Sequence, residues 1–214
     1  MPASLYIFPA ICCRLWTVNY GLSTNFPYFR VGMQKKLILD SKHLDITLNR
    51  LCQQLIENHS DFSNCVLLGL QPRGIFLAEL IHQKLKSLKV NVPLGYLDAT
   101  FHRDDFRRRD TPAKASETRI PFAIEGKNVV LIDDVLFTGR TVRAALDAMI
   151  SFGRPAKVEL LVLVDRKATR DLPIAADYVG KYVDTHDTQK VLVELQAHGH
   201  KQNKIWLINK DKGT

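Results

Sequence analysis

The sequence predicts an α/β domain: a central, mostly parallel sheet flanked by helices. Three observations predict it. CVLLGL (65–70) and VELLVLVDR (158–166) are continuous apolar runs, the pattern of strands buried on both faces. Segments with apolar residues at helical spacing alternate with such runs, the order expected of a sheet covered by helices. Residues 129–141, VVLIDDVLFTGRT, drive a third buried strand into two carboxylates and then into a polar turn that opens a helix. Ligands of open parallel sheets sit beyond such strand ends.

In chain order, residues 37–39 read as a short strand. Asp40 or Ser41 then caps a helix whose apolar positions are Ile46, Leu48, Leu51, Leu55 and Ile56. The run 65–70 ends in QPRG, and helical periodicity returns over 74–88. Residues 93–101, PLGYLDATF, read as another strand. A polar stretch of about 25 residues without a strong period follows, and its interior position favours a lid or flap. Residues 128–132 are a strand and 141–151 a helix, stopped by the Gly and Pro of 152–155. After the strand 158–166, residues 176–179, 191–195 and 204–208 read as shorter terminal strands. There are no internal repeats and no linker that would divide residues 33–214.

Residues 1–32 differ from the rest. They are rich in aromatics and carry two formal charges, Arg14 and Arg30. No basic start precedes an apolar core, as a secretory signal requires. The apolar run 5–13 is too short for a bilayer and contains Pro9. We expect a disordered or non-native leader from an upstream start, with the domain beginning at Met33. Cys12, Cys13, Cys52 and Cys65 show no metal-ligand spacing, which fits a reduced, cytoplasmic protein rather than a disulfide scaffold. The net charge of +8 favours anionic partners, phosphorylated metabolites or nucleic acid.

The chemistry concentrates in residues 129–141. Backbone N–H groups of residues 138–141 meet an anion at a helix N-terminus, with hydroxyls from Thr138 and Thr141. Gly139 permits close approach or a positive φ. Two carboxylates would repel a phosphate, so Asp133 and Asp134 need another task. They either accept hydrogen bonds from sugar hydroxyls or hold Mg²⁺ that the phosphate shares. The arrangement reads as a sugar-phosphate cradle.

As a block, these thirteen residues resemble the phosphoribosyl-diphosphate (PRPP) motif of type I phosphoribosyltransferases: four apolar residues, two acids, then T-G-x-T. GLQPRG (69–74) resembles the family's pyrophosphate loop, and TFHRDD (100–105) its flexible closing loop. TVRAALDAMISFGRPAKVELLVLVDR and LPIAADYVGK are similar to the pyrimidine operon regulators of the PyrR family, uracil phosphoribosyltransferases that often also bind RNA. The similarity runs from about Lys35 to the C-terminus. It implies the type I phosphoribosyltransferase fold, with a small hood and a flexible loop. It also implies a homo-oligomer, dimeric or higher, that needs no membrane.

The implied reaction is uracil plus PRPP giving UMP and diphosphate with Mg²⁺. By the same resemblance, Asp133 and Asp134 grip the ribose hydroxyls, directly or with Mg²⁺ shared through the substrate. Pro72, Arg73 and Gly74 hold the diphosphate. Phe137, Thr138, Gly139, Arg140 and Thr141 anchor the 5′-phosphate, and Arg103 and Asp104 close the site. Purine enzymes of this type generally carry Asp immediately before T-G, where it serves the purine N7. Phe137 cannot transfer a proton, which implies a pyrimidine. DYVG (177–180) resembles the base-reading segment, with Tyr178 and Val179 as the pocket; Arg166, just past a strand end, is a further candidate contact. DRKATRDLP carries one residue more than the DRGHRELP-like family pattern, which leaves residues 167–170 without an assigned contact.

An RNA-binding attenuator that responds to UMP, or a phosphoribosyltransferase for another base, is the alternative. RNA-binding members use basic and polar residues of the first helix. Here Arg50 is present, but Asn49 and Gln53 stand where Thr and His are expected. An inactive regulator is disfavoured by the intact DD…TGRT and PRG.

Overall fold

Both faces of the larger sheet are covered, which is why the runs 65–70, 129–132 and 160–164 of its central strands are uniformly apolar. The computed structural model describes residues 35–103, 116–167, 170–186 and 188–209; the expected leader lies outside them. Among these residues, eight strands form two sheets: β1 (Lys35–Leu39), β2 (Cys65–Leu70), β3 (Leu94–Leu97), β4 (Asn128–Leu136), β5 (Lys157–Arg166), β6 (Tyr178–Val183), β7 (Gln189–Glu194) and β8 (Lys204–Asn209). Three α-helices accompany them, α1 (Ser41–His59), α2 (Gly74–Ser87) and α3 (Arg140–Ile150).

The larger sheet has the order β3-β2-β4-β5-β6, and every neighbouring pair is parallel. Side chains alternate between its faces. Leu67, Val130, Ile132 and Leu161 pack with Leu48, Leu51 and Leu55 of α1 and Leu77 and Ile81 of α2. Val66, Leu68, Val129, Leu131 and Val162 pack with Val142, Ala145 and Met149 of α3. Asp40 caps α1 as expected, its Oδ1 accepting the His43 amide at 2.8 Å.

The smaller sheet, β1-β8-β7, is antiparallel and joins the first and last described strands. It is the hood that the resemblance implies. Its buried residues Leu39, Val191, Val193 and Ile205 share a core with α1 and α2.

Two elements differ from expectation in ways that shape the site. β4 runs four residues beyond Ile132, because Asp133, Val135 and Leu136 keep their ladder with Val162, Val164 and Asp165. β3 stops at Leu97, and residues 100–102 form a 3₁₀ turn instead of strand. Asp98 Oδ1 accepts the Thr100 amide at 2.7 Å, which curls the chain there.

Candidate active site

Because β4 continues past Ile132, both carboxylates sit on strand backbone, each about nine-tenths buried. Asp133 Oδ1 accepts the Asp134 amide at 2.9 Å. Asp134 Oδ2 lies 3.4 Å from Arg73 Nε. Arg73 Nη2 also donates to the Val193 carbonyl of the hood at 2.8 Å, so one guanidinium spans core and hood. The loop carrying Arg73 includes a cis Gln71–Pro72 bond and ends at Gly74. A Cβ on Gly74 would lie 2.4 Å from the Ile132 carbonyl, so glycine alone lets this loop touch β4.

The acids share an unfavourable environment. Burial, then the neighbouring Asp134 charge, pushes the Asp133 carboxyl up to about 8, while Arg103 pulls the other way. Burial also raises Asp134, against the attraction of Arg73. Two adjacent buried carboxyls that resist ionisation call for a partner that donates hydrogen bonds or brings positive charge.

Beyond them, Gly139 takes the left-handed conformation (φ 89°) at the N-cap of α3. The turn 138–141 thereby leaves the first amides of α3 without helical partners. Arg103 Nη1 reaches Thr141 Oγ1 at 3.4 Å. Asp104 lies outside the described residues.

A cavity of about 320 Å³ opens beside the acids, lined by Arg73, Asp134, Val135, Phe137, Arg166, Lys190 and Val191. The Phe137 ring lies 3.9 Å under the Arg166 guanidinium. Arg166 is 3% exposed, with Nε donating to Thr185 Oγ1 at 2.9 Å and Nη2 to the Gln189 carbonyl at 3.1 Å.

The family model for the phosphoribosyl transferase domain matches residues 35–198. The bifunctional protein PyrR of Enterococcus faecalis is 44% identical over 165 residues, 77% of this chain and 92% of that one. That of Actinobacillus pleuropneumoniae is 44% identical over 181 residues, 83% and 99%. The chain belongs to the PyrR family. Its fold is that of the phosphoribosyltransferases: a hypoxanthine phosphoribosyltransferase of Trypanosoma cruzi superposes with a TM-score of 0.62 at 14% identity, covering 82% of this chain and 97% of that one. This PyrR-family chain is thus a phosphoribosyltransferase, an enzyme of pentosyl transfer.

Most residues singled out in the sequence gather at one end of the sheet of this PyrR-family protein. Arg73, Gly74, Asp133, Asp134, the turn 137–141, Arg103 and Arg166 all do. Tyr178 does not. It is the first residue of β6 and lines a different cavity, with Asn128 and Lys157 at the starts of β4 and β5. Its hydroxyl meets Asn58 Nδ2 at 3.0 Å and Glu159 Oε2 at 3.1 Å, at the N-terminal end of the strands. Val179 is level with Asp133 through Val162, but two strands away, about 10 Å. Its side chain packs on the α3 face. The C-terminal residue of β6, Val183, and Thr185 beyond it are what approach Arg166. Sequence reasoning also misses Lys190 and Val191. Nothing local marks them, because only the folding of the hood over the sheet brings β7 to the cavity.

Proposed function

We propose that this PyrR-family phosphoribosyltransferase transfers the phosphoribosyl group of PRPP to uracil, forming UMP and diphosphate. The observation that carries the base assignment is Phe137, an apolar ring held under Arg166 in the cavity beside the acids. It offers stacking area and no proton carrier where a purine would need one.

In this proposal Asp133 and Asp134 accept hydrogen bonds from the ribose hydroxyls and favour the positive charge that grows on the ring as the anomeric bond breaks. Arg73, with Pro72 and Gly74, receives the diphosphate. The amides and hydroxyls of residues 138–141 hold the 5′-phosphate, with Arg140 flanking the turn. Arg103 and Asp104 close over the substrate and exclude water. Arg166 and Lys190, which line this cavity, meet the base edge in place of Tyr178 and Val179.

The donor set suits Mg²⁺ only as a substrate-borne ion. No group of three or more His, Cys, Asp or Glu side chains among the described residues is arranged to hold a metal. Two carboxylates completing the shell of a phosphate-bound Mg²⁺ fit that limit. Bound there, Mg²⁺ neutralises the departing diphosphate.

We further propose a homo-oligomeric, cytoplasmic protein; Cys52 and Cys65 are buried free thiols, in keeping with a reducing compartment. A second role, RNA-binding regulation of pyrimidine genes responsive to UMP, is favoured by the bifunctional relatives and by the net charge of +8. Arg50, expected on the RNA face, donates to the carbonyls of Val179 and Gly180 at 3.0 and 2.7 Å, and any RNA contact has to share it with β6.

Chromatographic detection of UMP from uracil, PRPP and Mg²⁺ tests the activity, with Asp134→Asn as the inactive control. UMP formed equally by that variant would contradict the site. A gel shift of the 5′ leader of a pyrimidine operon, with and without UMP, tests the second role; no UMP-dependent shift at physiological salt counts against it.

A further inference from the structure

Residues 170–174 pack around the turn that opens α3. Arg170 Nη1 donates to the Phe137 carbonyl, and its Nη2 reaches Asp165 Oδ1 at 2.5 Å. The amides of Asp171 and Leu172 donate to the Thr138 carbonyl at 3.1 and 3.2 Å. Arg140 Nε pairs with Asp171 Oδ2 at 3.1 Å. Side chains of Leu172 and Ile174 lie so near Gly139 that a Cβ there would meet them at 3.3–3.5 Å.

These links differ in strength. The Arg140–Asp171 side chains are 44% and 46% exposed, so water competes for that pair. Those of Arg170 and Asp165 are 19% and 9% exposed. A guanidinium carries donors in a fixed plane, so one side chain can join a carboxylate and a carbonyl and set the angle between them. Here the carboxylate is on β5 and the carbonyl on the residue that leads the phosphate turn.

We propose that Arg170 is a positioning residue for the phosphoribosyl group, anchored by Asp165 and acting through the Phe137 carbonyl. The peptide joining Phe137 to Thr138 is planar, and its N–H points opposite to its C=O. With the carbonyl held by Arg170, the Thr138 amide is turned away from Arg170, toward the turn. The same residue carries the Phe137 ring, so one clamp sets both the leading amide and the ring beside the cavity. The substitution Arg170→Lys keeps the charge for Asp165 and loses the planar pair of donors. This inference rests on the reading that residues 138–141 take the 5′-phosphate.

The test is calorimetric titration of ribose 5-phosphate into the full chain and its Arg170→Lys, Arg170→Gln and Arg170→Gln/Asp165→Asn variants. Melting temperatures and PRPP kinetics are measured on the same samples. Wild type is expected to bind. Arg170→Gln should bind about tenfold more weakly and raise KM for PRPP by a similar factor, while kcat moves less than about threefold. Arg170→Lys should lose affinity in the same direction while melting close to wild type, which separates positioning from stability. The double variant should bind no more weakly than Arg170→Gln, because the two residues act as one device. Wild-type affinity in both single variants overturns the role of Arg170 alone. Failure of wild type to bind ribose 5-phosphate overturns the phosphate reading beneath it, and the inference with it.

Discussion

Arg73 Nε stands 3.4 Å from Asp134 Oδ2, so the guanidinium expected to receive the diphosphate is the counter-ion of the carboxylate expected to grip the ribose. One substrate would engage both partners of this ion pair. Asp134→Asn should therefore lower kcat by roughly 100-fold or more, since it removes charge facing the reacting ring. Arg73→Ala should lower it too and weaken inhibition by diphosphate. It should also cost about 1–3 kcal/mol of stability, because Asp134 loses its pair and the hood loses a bond to Val193. Steady-state kinetics with chemical denaturation check both; unchanged diphosphate inhibition in Arg73→Ala would contradict the assignment.

Asp133 predicts a pH dependence. Burial, then the Asp134 charge, pushes its carboxyl up to about 8 in the folded chain, above an ordinary value of 3.8. Between those values the folded state holds a proton that the unfolded state has released, so this group removes stability as pH rises. Asp133→Asn should melt like wild type near pH 4 and progressively higher than wild type toward pH 8. A gap that stays constant or narrows with pH, followed by scanning calorimetry, would speak against burial as the cause.

The Arg166–Phe137 stack should govern the base and not the phosphoribosyl group. Phe137→Ala removes the ring and its cation contact, and KM for uracil should rise about tenfold. KM for PRPP should stay within about threefold, because the amides of 138–141 remain. Equal increases for both substrates would show that Phe137 supports the turn instead.

At the other end of the sheet, Glu159 Oε2 lies 2.7 Å from His59 Nε2, and its Oε1 is bound to Lys157. Burial alone would raise Glu159, but Lys157, His59 and Tyr178 outweigh it and hold the carboxyl below its usual value. Its contribution to stability is present above the ordinary value of 4.5 and lost as pH falls through the lowered one. Glu159→Gln should lower the melting temperature at pH 7, narrow its gap to wild type in acid, and leave kcat unchanged. A loss of kcat would tie this network to the chemistry.

The fold is legible in the sequence where one force dominates. CVLLGL matches β2 residue for residue, because burial on both faces leaves only apolar choices. Helical spacing places α2 and α3 within one residue at either end. The acidic pair is expected beyond its strand and lies within it, because ladder pairing to β5 continues regardless of side-chain charge. Tyr178 escapes the reading for a different reason. A short stretch such as DYVG shows that a strand is present but not which end faces the ligand, and β6 begins there instead of ending there. The placement of Lys190 and Arg170 is out of reach, since β7 lines the cavity and Arg170 meets Phe137 only once the chain has folded.

The most direct test is one reaction containing PRPP, Mg²⁺ and equal amounts of uracil, hypoxanthine and guanine, with the nucleotide products resolved by chromatography. A site built around Phe137 and Arg166 predicts UMP as the product, with one diphosphate released per UMP. Formation of IMP or GMP with uracil left unconsumed would contradict it.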